Sequence, residues 1–288
     1  MTGVPAALAH LDADVISREV VVPTRHADVR CILYQPSPRP VEPAPLYVHF
    51  HGGAFIVRHP EQDDHLCRHV VARTGAMVLS VDYDTAPQSR YPTAEAQAYA
   101  VLAWASQSAT EMGWDASRIA VGGTSAGAKL AVNACQQAHQ AATPMPIALV
   151  FAYGVTDMTL PPRARTSPKR FPAVAPWLIR LMYQTYFPDA SLRRKPLASP
   201  GLDPDLGYLP PTLILTGELD AMADEERRFA EMLTKADVPV TYREFTGVDH
   251  GFTHDDPIDT AMSALDAIAT HLSGTFDCHC ERMRDLPR

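Results

Sequence analysis

A serine lies within a short run of small residues near the middle of the chain. Residues 123–127 read Gly-Thr-Ser-Ala-Gly, which places Ser125 between two glycines. An apolar run precedes this segment and an alanine-rich stretch follows it, a pattern that predicts a strand, a sharp turn and a helix. In that setting a serine hydroxyl stands exposed and can attack a carbonyl carbon. The alternative interpretation is a helix N-cap, in which Ser125 only caps the helix.

A serine hydroxyl is a weak nucleophile until a base removes its proton, and the base needs an acid to orient it. In proteins with such a turn, the acid follows the serine in the chain and the histidine follows the acid. Asp220 and His250 come in this order, each in a loop after a predicted strand, and a glycine follows the histidine. We expect Ser125, Asp220 and His250 to form a catalytic triad. Glu218 and Asp224 are competing acids.

A pair of glycines follows another predicted strand, which ends at Phe50. Glycines at this position allow a loop whose N–H groups point into a cavity, where they would stabilise negative charge on a carbonyl oxygen. We expect these donors, an oxyanion hole, to be the N–H groups of Gly52, Gly53 and Ala126. His51 is expected to brace the loop. An ordinary tight turn is the alternative.

These residues need a scaffold that brings three distant segments together. Short apolar runs alternate with helical patterns along the chain, which predicts an α/β fold with a mostly parallel, eight-stranded sheet flanked by helices. The first two runs have no helix between them and predict an antiparallel edge. The predicted strands are Glu19–Val22, Val29–Tyr34, Leu46–Phe50, Met77–Tyr83, Arg118–Gly122, Ile147–Tyr153, Thr212–Thr216 and Val240–Phe245. The predicted helices are Glu61–Arg73, Thr93–Ser108, Ala126–Gln140, Asp224–Ala236 and Ala261–His271.

A proline-rich stretch at about residues 156–209 breaks the alternation. It lies at the end of the sheet where the sites of α/β proteins form, so we expect a small helical cap over a pocket. The apolar stripe within it would also suit an ordinary core helix. The candidate pocket residues are Phe55, Trp177, Met182 and Tyr186.

The composition limits the classes of partner. Lys and Arg total 25 against 33 Asp and Glu, so the net charge of −8 disfavours a general nucleic-acid binder or a polybasic membrane binder. No apolar run reaches the roughly 18–20 residues of a membrane-spanning helix, and no basic, apolar leader opens the chain. We therefore expect a cytoplasmic protein without stable membrane insertion, with residues 1–288 forming one domain.

The cysteines do not predict a disulfide framework or a metal site. There are 5 of them, and only Cys278 and Cys280 lie close together, on either side of His279. A zinc site needs a second ligand pair, which is missing from the sequence. We expect reduced thiols, no metal, no cofactor, and an unstructured tail over residues 273–288.

Taken together, these motifs resemble those of the bacterial hormone-sensitive-lipase-like esterases of the α/β-hydrolase fold (family IV, GTSAG branch). The resemblance runs from about Val29 to His271. It implies a metal-free carboxylesterase that favours short acyl chains, with a helical cap and frequent dimerisation. The segments that carry it are His51–Phe55, Asp82-Tyr83 with Ala86-Pro87, Gly123–Gly127, Ser199-Pro200, Glu218–Glu225 and Asp249–Phe252.

The chain departs from the family pattern at three places. Ala54 stands where the family usually has a third glycine, and Thr124 stands where many members have aspartate. Only 50 residues precede His51, fewer than is common in the family. The first departure could alter the oxyanion hole, and the last could leave the pocket more open.

The predicted function is hydrolysis of short-to-medium acyl carboxylic esters through an acyl-enzyme, with a small-molecule ester as the partner and a homodimer as a further possibility. An amide, carbamate or thioester hydrolase would use the same triad. A non-catalytic small-molecule receptor of the same fold is the alternative from another class. The presence of His250 favours the enzyme.

Overall fold

The computed structural model describes Leu8 and residues 14–25, 27–255 and 257–284, with the backbone alone for 280–284. Its centre is an eight-stranded sheet, and each of the eight predicted runs overlaps one of its strands. The strands are β1 (Val15–Val22), β2 (Val29–Pro36), β3 (Ala44–Phe50), β4 (Met77–Asp82), β5 (Trp114–Thr124), β6 (Leu149–Ala152), β7 (Thr212–Gly217) and β8 (Val240–Phe245).

The strand order is β1-β2-β4-β3-β5-β6-β7-β8. β1 pairs antiparallel with β2, because no helix crosses over between these two strands. β2 also pairs antiparallel with β4. Every other pair is parallel. The carboxyl ends of β3, β5, β7 and β8 therefore meet at one edge, where the loops with the candidate residues begin. The predicted fold class is confirmed.

Seven α-helices connect the described strands or follow them. They are α1 (Asp64–Thr74), α2 (Thr93–Gln107), α3 (Ala109–Met112), α4 (Ala126–Gln140), α5 (Pro176–Tyr186), α6 (Ala223–Lys235) and α7 (Ile258–Arg284). Short 3-10 helices at Pro60–Asp63 and Phe252–His254 precede α1 and follow β8.

The sheet separates two apolar cores, and neighbouring residues of a strand contribute to different ones. In β3, Val48 and Phe50 pack with residues of α2, α4 and α6, whereas Tyr47 packs on the other face with α1 and α7. Successive side chains of a strand point to opposite faces, so a strand covered on both sides must be apolar throughout. β4 shows this directly, since all of its side chains are buried.

The segment predicted as a cap lies between β6 and β7 and contains α5. Its inward face is formed by Ile179, Met182, Tyr183 and Tyr186, which are buried. Trp177 is 68% exposed, on the opposite face of the helix. Of the α5 residues predicted to line a pocket, Met182 and Tyr186 therefore face inward and Trp177 does not. The spacing of apolar residues could not select the inward face, because α5 carries apolar residues on both faces.

A buried ion pair attaches this segment to the body of the protein. Arg165 Nε lies 2.9 Å from Glu225 Oε2 on α6, and the other oxygen of that carboxylate accepts hydrogen bonds from the backbone N–H groups of Thr156 and Asp157. Arg165 also donates to the Tyr183 hydroxyl at 2.7 Å. Both ends of the pair are buried, so the start of the segment and α5 are held together at α6.

The predicted unstructured tail is wrong for its described part, because α7 continues to Arg284. Its buried residues recur every three or four positions and include Leu265, Ile268, Leu272 and Phe276. This apolar stripe packs on the same core as α1, which stabilises the helix beyond the predicted end at His271. Across the chain as far as it is described, no helix is long and apolar enough to cross a bilayer.

Phe276, the last buried residue among the described side chains of α7, offers a test of that correction. We expect Phe276→Ala to lower the free energy of unfolding by about 3–5 kcal/mol, because it removes a fully packed aromatic side chain. Urea unfolding monitored by circular dichroism would measure the change. Asp277→Ala, at the exposed neighbouring position, should stay within about 0.5 kcal/mol of wild type. A wild-type stability for Phe276→Ala would mean that the end of α7 is not packed.

Candidate active site

Ser125 occupies the turn between β5 and α4 in a left-handed conformation, with φ 53° and ψ −116°. A non-glycine residue rarely adopts this region, which costs of order 1–3 kcal/mol. The surroundings hold it there: its N–H donates to Ala152 O at 2.9 Å, and the turn lies directly against the end of β3. A Cβ on Gly127 would come within 1.9 Å of Phe50 O, so the second glycine of the motif is needed for this close approach.

The structure brings the serine together with the expected acid and base. His250 Nε2 lies 2.7 Å from Ser125 Oγ, and His250 Nδ1 lies 2.7 Å from Asp220 Oδ2. The second oxygen of Asp220 accepts the N–H of Met222 at 2.9 Å, which fixes the orientation of this buried carboxylate. The imidazole ring packs edge-on against Tyr153, with ring centroids 5.1 Å apart.

The competing acids are engaged elsewhere. Glu218 accepts the N–H of Gly247 at 2.7 Å, and Asp224 is an exposed partner of Arg227. The imidazole of His250 therefore has Asp220 as its carboxylate partner. The loops after β7 and β8 approach each other closely, because the N–H of Leu219 donates to Val248 O at 2.9 Å.

Hydrogen bonds fix two consecutive peptide groups in the loop after β3. The Tyr83 hydroxyl donates to His51 O at 2.9 Å, and Gly52 O contacts His51 Nδ1 at 2.6 Å and Gln62 Nε2 at 3.0 Å. In a trans peptide the N–H points opposite to the carbonyl, so fixing these two carbonyls also fixes the N–H groups of Gly52 and Gly53. A Cβ on Gly52 would lie 3.4 Å from the Cβ of Ser125, which puts this loop beside the serine.

His51 braces this loop as a buried, neutral ring. It stacks on Tyr83 with centroids 4.3 Å apart, and its Nδ1 is the atom that contacts Gly52 O. Burial lowers the pKa of His51 to about 4, so the ring is uncharged at neutral pH. For its Nδ1 to donate to a carbonyl oxygen, the neutral ring must carry its proton there.

Ala54, the departure from three consecutive glycines, is accommodated in the left-handed region. Its φ is 53°, and that of Phe55 is 61°. Gly53 has φ 126°, which a side chain rarely adopts, and a Cβ there would meet Val57 O at 2.5 Å. The glycine requirement of this loop therefore lies at Gly53 and not at the following position.

Three of the four predicted pocket residues, Phe55, Met182 and Tyr186, are buried. They form an apolar layer between the inward face of α5 and the body of the protein, called here the layer under α5. Phe55 stacks on Tyr186 with centroids 4.5 Å apart, and Met182 belongs to the same core. Trp177 faces solvent and is not part of this layer. A cleft of about 370 Å³ reaches Asp220 from the side of Ser167 and Arg227, and a larger one of about 450 Å³ between β8 and α7 has no triad residue in its lining.

A buried charge pair lies beneath these aromatic rings and was not expected from the sequence. Lys129, one helical turn after the serine on α4, pairs with Glu95 on α2, and both side chains are fully buried. The Tyr186 hydroxyl donates to the second oxygen of Glu95 at 2.7 Å, and the ammonium group lies 5.3 Å from the centre of the Phe55 ring. Burial lowers the pKa of Lys129, while the charge of Glu95 opposes that shift. A lysine at this position of a helix pattern is usually exposed, so only the fold reveals its partner.

The second unexpected group is a buried carboxylate behind the serine, Asp63, which contacts Thr124. Neither the motif pattern nor the charge pattern singled it out. The only sequence signal was an aspartate pair at the start of a predicted helix, which is common at helix N-termini.

The neutral histidines of the site predict how stability depends on pH. Burial lowers the pKa of His51 and of His65 to about 4, against about 6.5 in an unfolded chain. The unfolded state then binds more protons between these values, so the free energy of unfolding falls as pH drops from about 6.5 to 4, by roughly 3 kcal/mol for each histidine. The raised pKa of His254 acts oppositely, but its contribution is already complete below about 6.5.

This dependence is measurable by urea unfolding at several pH values. We expect His65→Gln to make the decline between pH 6.5 and 4 shallower by roughly 3 kcal/mol, because the unfolded state loses that proton site. His59→Gln, at a half-exposed position six residues earlier in the chain, is the control and should leave the slope unchanged. An unchanged slope in His65→Gln would show that this ring is not the source of the acid sensitivity.

The loop after β3 that contains Gly52 and Gly53, called here the oxyanion loop, yields a prediction about activity. We expect Gly53→Ala to lower kcat for ester hydrolysis by about 10²–10³-fold, because the strained φ and the contact with Val57 O would turn the peptide N–H away. Ala54→Gly is the matched control and should leave kcat within about twofold, since glycine adopts the same conformation without strain. Equal rates for both variants would contradict the assignment of Gly53.

The chain is similar to a known family and to curated proteins. A family model for the α/β-hydrolase fold matches residues 47–254. Esterase LipI of Mycobacterium tuberculosis is 32% identical over 212 residues, 73% of this chain and 66% of the relative. An acetyl esterase of Salmonella paratyphi B is 30% identical over 244 residues, 83% of this chain and 73% of the relative. The chain thus spans about two thirds to three quarters of the length of these relatives.

Solved structures with the same fold include esterases as well. An esterase of Pyrobaculum calidifontis superposes with a TM-score of 0.85 at 31% identity, over 90% of this chain and 85% of that one. A thermostable carboxylesterase cloned from a metagenomic library superposes with a TM-score of 0.85 at 30% identity, over 91% of this chain and 89% of that one. The resemblance inferred from the motifs is confirmed: the chain belongs to the α/β-hydrolase fold family, within its hormone-sensitive-lipase-like carboxylesterases.

Proposed function

We propose that this protein hydrolyses carboxylic esters through Ser125, His250 and Asp220. The observation that carries the proposal is the continuous pair of 2.7 Å contacts from the carboxylate to the imidazole and from the imidazole to the hydroxyl. A buried carboxylate, an imidazole and a serine hydroxyl in this order are the parts that acyl transfer requires. The left-handed turn at Ser125 supports the same assignment, because it exposes the hydroxyl at the end of β5.

In the first half of the reaction, Ser125 Oγ attacks the ester carbonyl carbon while His250 Nε2 takes its proton. Asp220 holds the imidazole by its Nδ1–H and stabilises the imidazolium that forms. The N–H groups of Gly52, Gly53 and Ala126 face the developing oxyanion. The C–O bond to the alcohol then breaks, and His250 gives its proton to the leaving oxygen, which leaves an acyl group on the serine.

In the second half, water attacks the acyl carbon and His250 accepts its proton. The second tetrahedral intermediate breaks its bond to Ser125 Oγ, and the proton returns from His250 to that oxygen. The carboxylic acid leaves and the enzyme is restored. His250 is the group that accepts and returns the proton in both halves of the reaction.

We propose short-to-medium acyl esters as the substrates. Phe55 and Tyr186 are buried and stacked on each other above the buried Lys129–Glu95 pair, so a long acyl chain could enter this layer only if these side chains rearranged. The name of the Salmonella relative, an acetyl esterase, is consistent with a small acyl group. The acidic net charge gives no advantage to anionic substrates.

The direct test of this function is the nucleophile. We expect Ser125→Ala to lower hydrolysis of p-nitrophenyl acetate by at least about 10⁴-fold with unchanged thermal unfolding, because Ser125 is the hydroxyl that contacts His250 Nε2 among the described residues. Ser117→Ala, an exposed serine on β5, is the matched control and should keep wild-type rates. Incubation with a sulfonyl fluoride followed by peptide mass spectrometry should place the covalent label on Ser125.

The same assay separates the alternatives. A panel of p-nitrophenyl esters from acetate to dodecanoate, with the matching anilides and thioesters, should show the fastest turnover among the shorter oxygen esters. Retained turnover in Ser125→Ala would contradict the proposed nucleophile. Tight ligand binding without turnover by the wild type would favour a non-catalytic receptor. β8 lies at an edge of the sheet, and we propose that the expected homodimer pairs there, which sedimentation would measure.

A further inference from the structure

A second carboxylate is buried behind the candidate triad. Asp63, the last residue of the 3-10 helix before α1, has no exposed surface. Three side chains contact it: His49 Nε2 at 2.7 Å, Thr124 Oγ1 at 3.0 Å and His254 Nε2 at 2.5 Å. An aspartate in such a position is kept only where its hydrogen bonds replace the water that it has lost.

The three partners come from the three segments that border the serine. His49 lies in β3, one residue before the end of the strand that leads into the Gly52–Gly53 loop. Thr124 is the residue directly before Ser125. His254 follows His250 by four positions, in the 3-10 helix after β8. One carboxylate thus connects the oxyanion loop, the nucleophile turn and the loop of the base.

The network continues from His254 to the ring of the base. His254 Nδ1 lies 3.0 Å from Thr253 Oγ1, and that hydroxyl contacts the hydroxyl of Tyr153. The Tyr153 ring packs edge-on against His250. His65 Nε2 contacts Thr253 O at 2.8 Å and fixes the same turn from α1. The path from Asp63 therefore reaches the imidazole of His250 without passing through solvent.

Asp63 and His254 shift each other's pKa in opposite directions. Burial alone would raise the pKa of Asp63, but the hydrogen bonds and charge of His254 and His49 hold it well below its usual value. Burial opposes protonation of His254, yet the contact with Asp63 raises its pKa. The neutral ring of His65 also faces His254, with centroids 4.9 Å apart. The contacts from His49, Thr124 and His254 replace the water that the buried carboxylate has lost.

The cluster contains the order hydroxyl, imidazole, carboxylate in Thr253, His254 and Asp63, but it is not a second hydrolytic centre. Thr253 is fully buried and its hydroxyl already contacts Tyr153, so no substrate reaches it. Thr253, His254 and Asp63 therefore affect the reaction at Ser125 only by holding neighbouring residues in place.

We propose that Asp63 is a positioning residue of the active site, a single buried carboxylate that holds Thr124 and the His254 turn so that Ser125 and His250 stay aligned. This inference rests on the proposed ester hydrolysis at Ser125. The contact of Asp63 with Thr124 Oγ1 acts on the residue directly before the nucleophile. A misplacement of about 1 Å at a reacting group costs on the order of 10²-fold in rate, so the loss of one such contact should be visible in kcat.

The test uses two substitutions at Thr124 that differ in the hydroxyl. Thr124→Val keeps the shape and removes the hydrogen bond, and we expect kcat for p-nitrophenyl acetate to fall at least about tenfold with KM within about twofold. Thr124→Ser keeps the hydroxyl and should return kcat to within about threefold of wild type. Thr216→Val is the matched control: it removes another fully buried threonine hydroxyl near a strand end, one that has no contact with Asp63, and should leave kcat unchanged.

Asp63→Asn gives the second measurement. It should lower kcat more than Thr124→Val, because it disturbs three contacts, and the double variant Asp63→Asn/Thr124→Val should be no slower than Asp63→Asn alone, since the threonine acts through the carboxylate. Should Asp63→Asn fail to fold, the Thr124 pair decides the question. Thermal unfolding of each variant separates a loss of alignment from a loss of fold.

The outcomes distinguish the two proposals. Turnover retained in Ser125→Ala would overturn the hydrolytic assignment and the positioning role with it. An inactive Ser125→Ala combined with wild-type kcat in folded Thr124→Val would overturn the positioning role alone. The same holds if Thr124→Ser is as slow as Thr124→Val, because the hydroxyl would then be irrelevant, or if the losses in the double variant simply multiply.

Discussion

The conformation of Ser125 is the constraint from which the remaining geometry follows. A residue with a side chain is held at φ 53° between a buried strand and a helix, in a region that it would leave if the surroundings allowed. The close approach of the turn to the end of β3 requires Gly127, and the hydrogen bond to Ala152 fixes the peptide before the serine. The parallel sheet supplies this rigidity, because neighbouring strands on both sides of β5 are hydrogen-bonded up to the turn.

Around that turn, polar groups are fixed by partners that do not themselves react. Tyr83, Gln62 and His51 fix the carbonyls of the oxyanion loop, the Met222 N–H fixes Asp220, and Asp63 contacts Thr124. Such contacts place donors before a substrate arrives, so little reorganisation is needed when charge develops. The site therefore depends on hydrogen bonds between loops that are distant in sequence and adjacent only in the folded sheet.

The sequence was sufficient to predict the elements and side chains that depend on their neighbours in the chain. The run of strands and helices, the chain order Ser125, Asp220, His250, and the glycines after β3 can all be inferred from neighbouring residues, and the structure brings the last two sets together. It could not predict Asp63, because its role arises from contacts 14, 61 and 191 positions away. Trp177 was misassigned because α5 is apolar on both faces. The end of α7 was missed because small and polar residues surround Leu272 and Phe276 in the sequence.

The Lys129–Glu95 pair has a consequence for how this family member can change over time. Loss of either partner leaves the other as an isolated ion in an apolar interior, a cost of several kcal/mol, whereas joint replacement by apolar side chains of similar volume is often neutral or better. The two positions are therefore expected to be inherited as a unit, and the viable route to a reshaped interior below Phe55 passes through a simultaneous or compensated double change. A library that varies one residue at a time would discard that route at its first step.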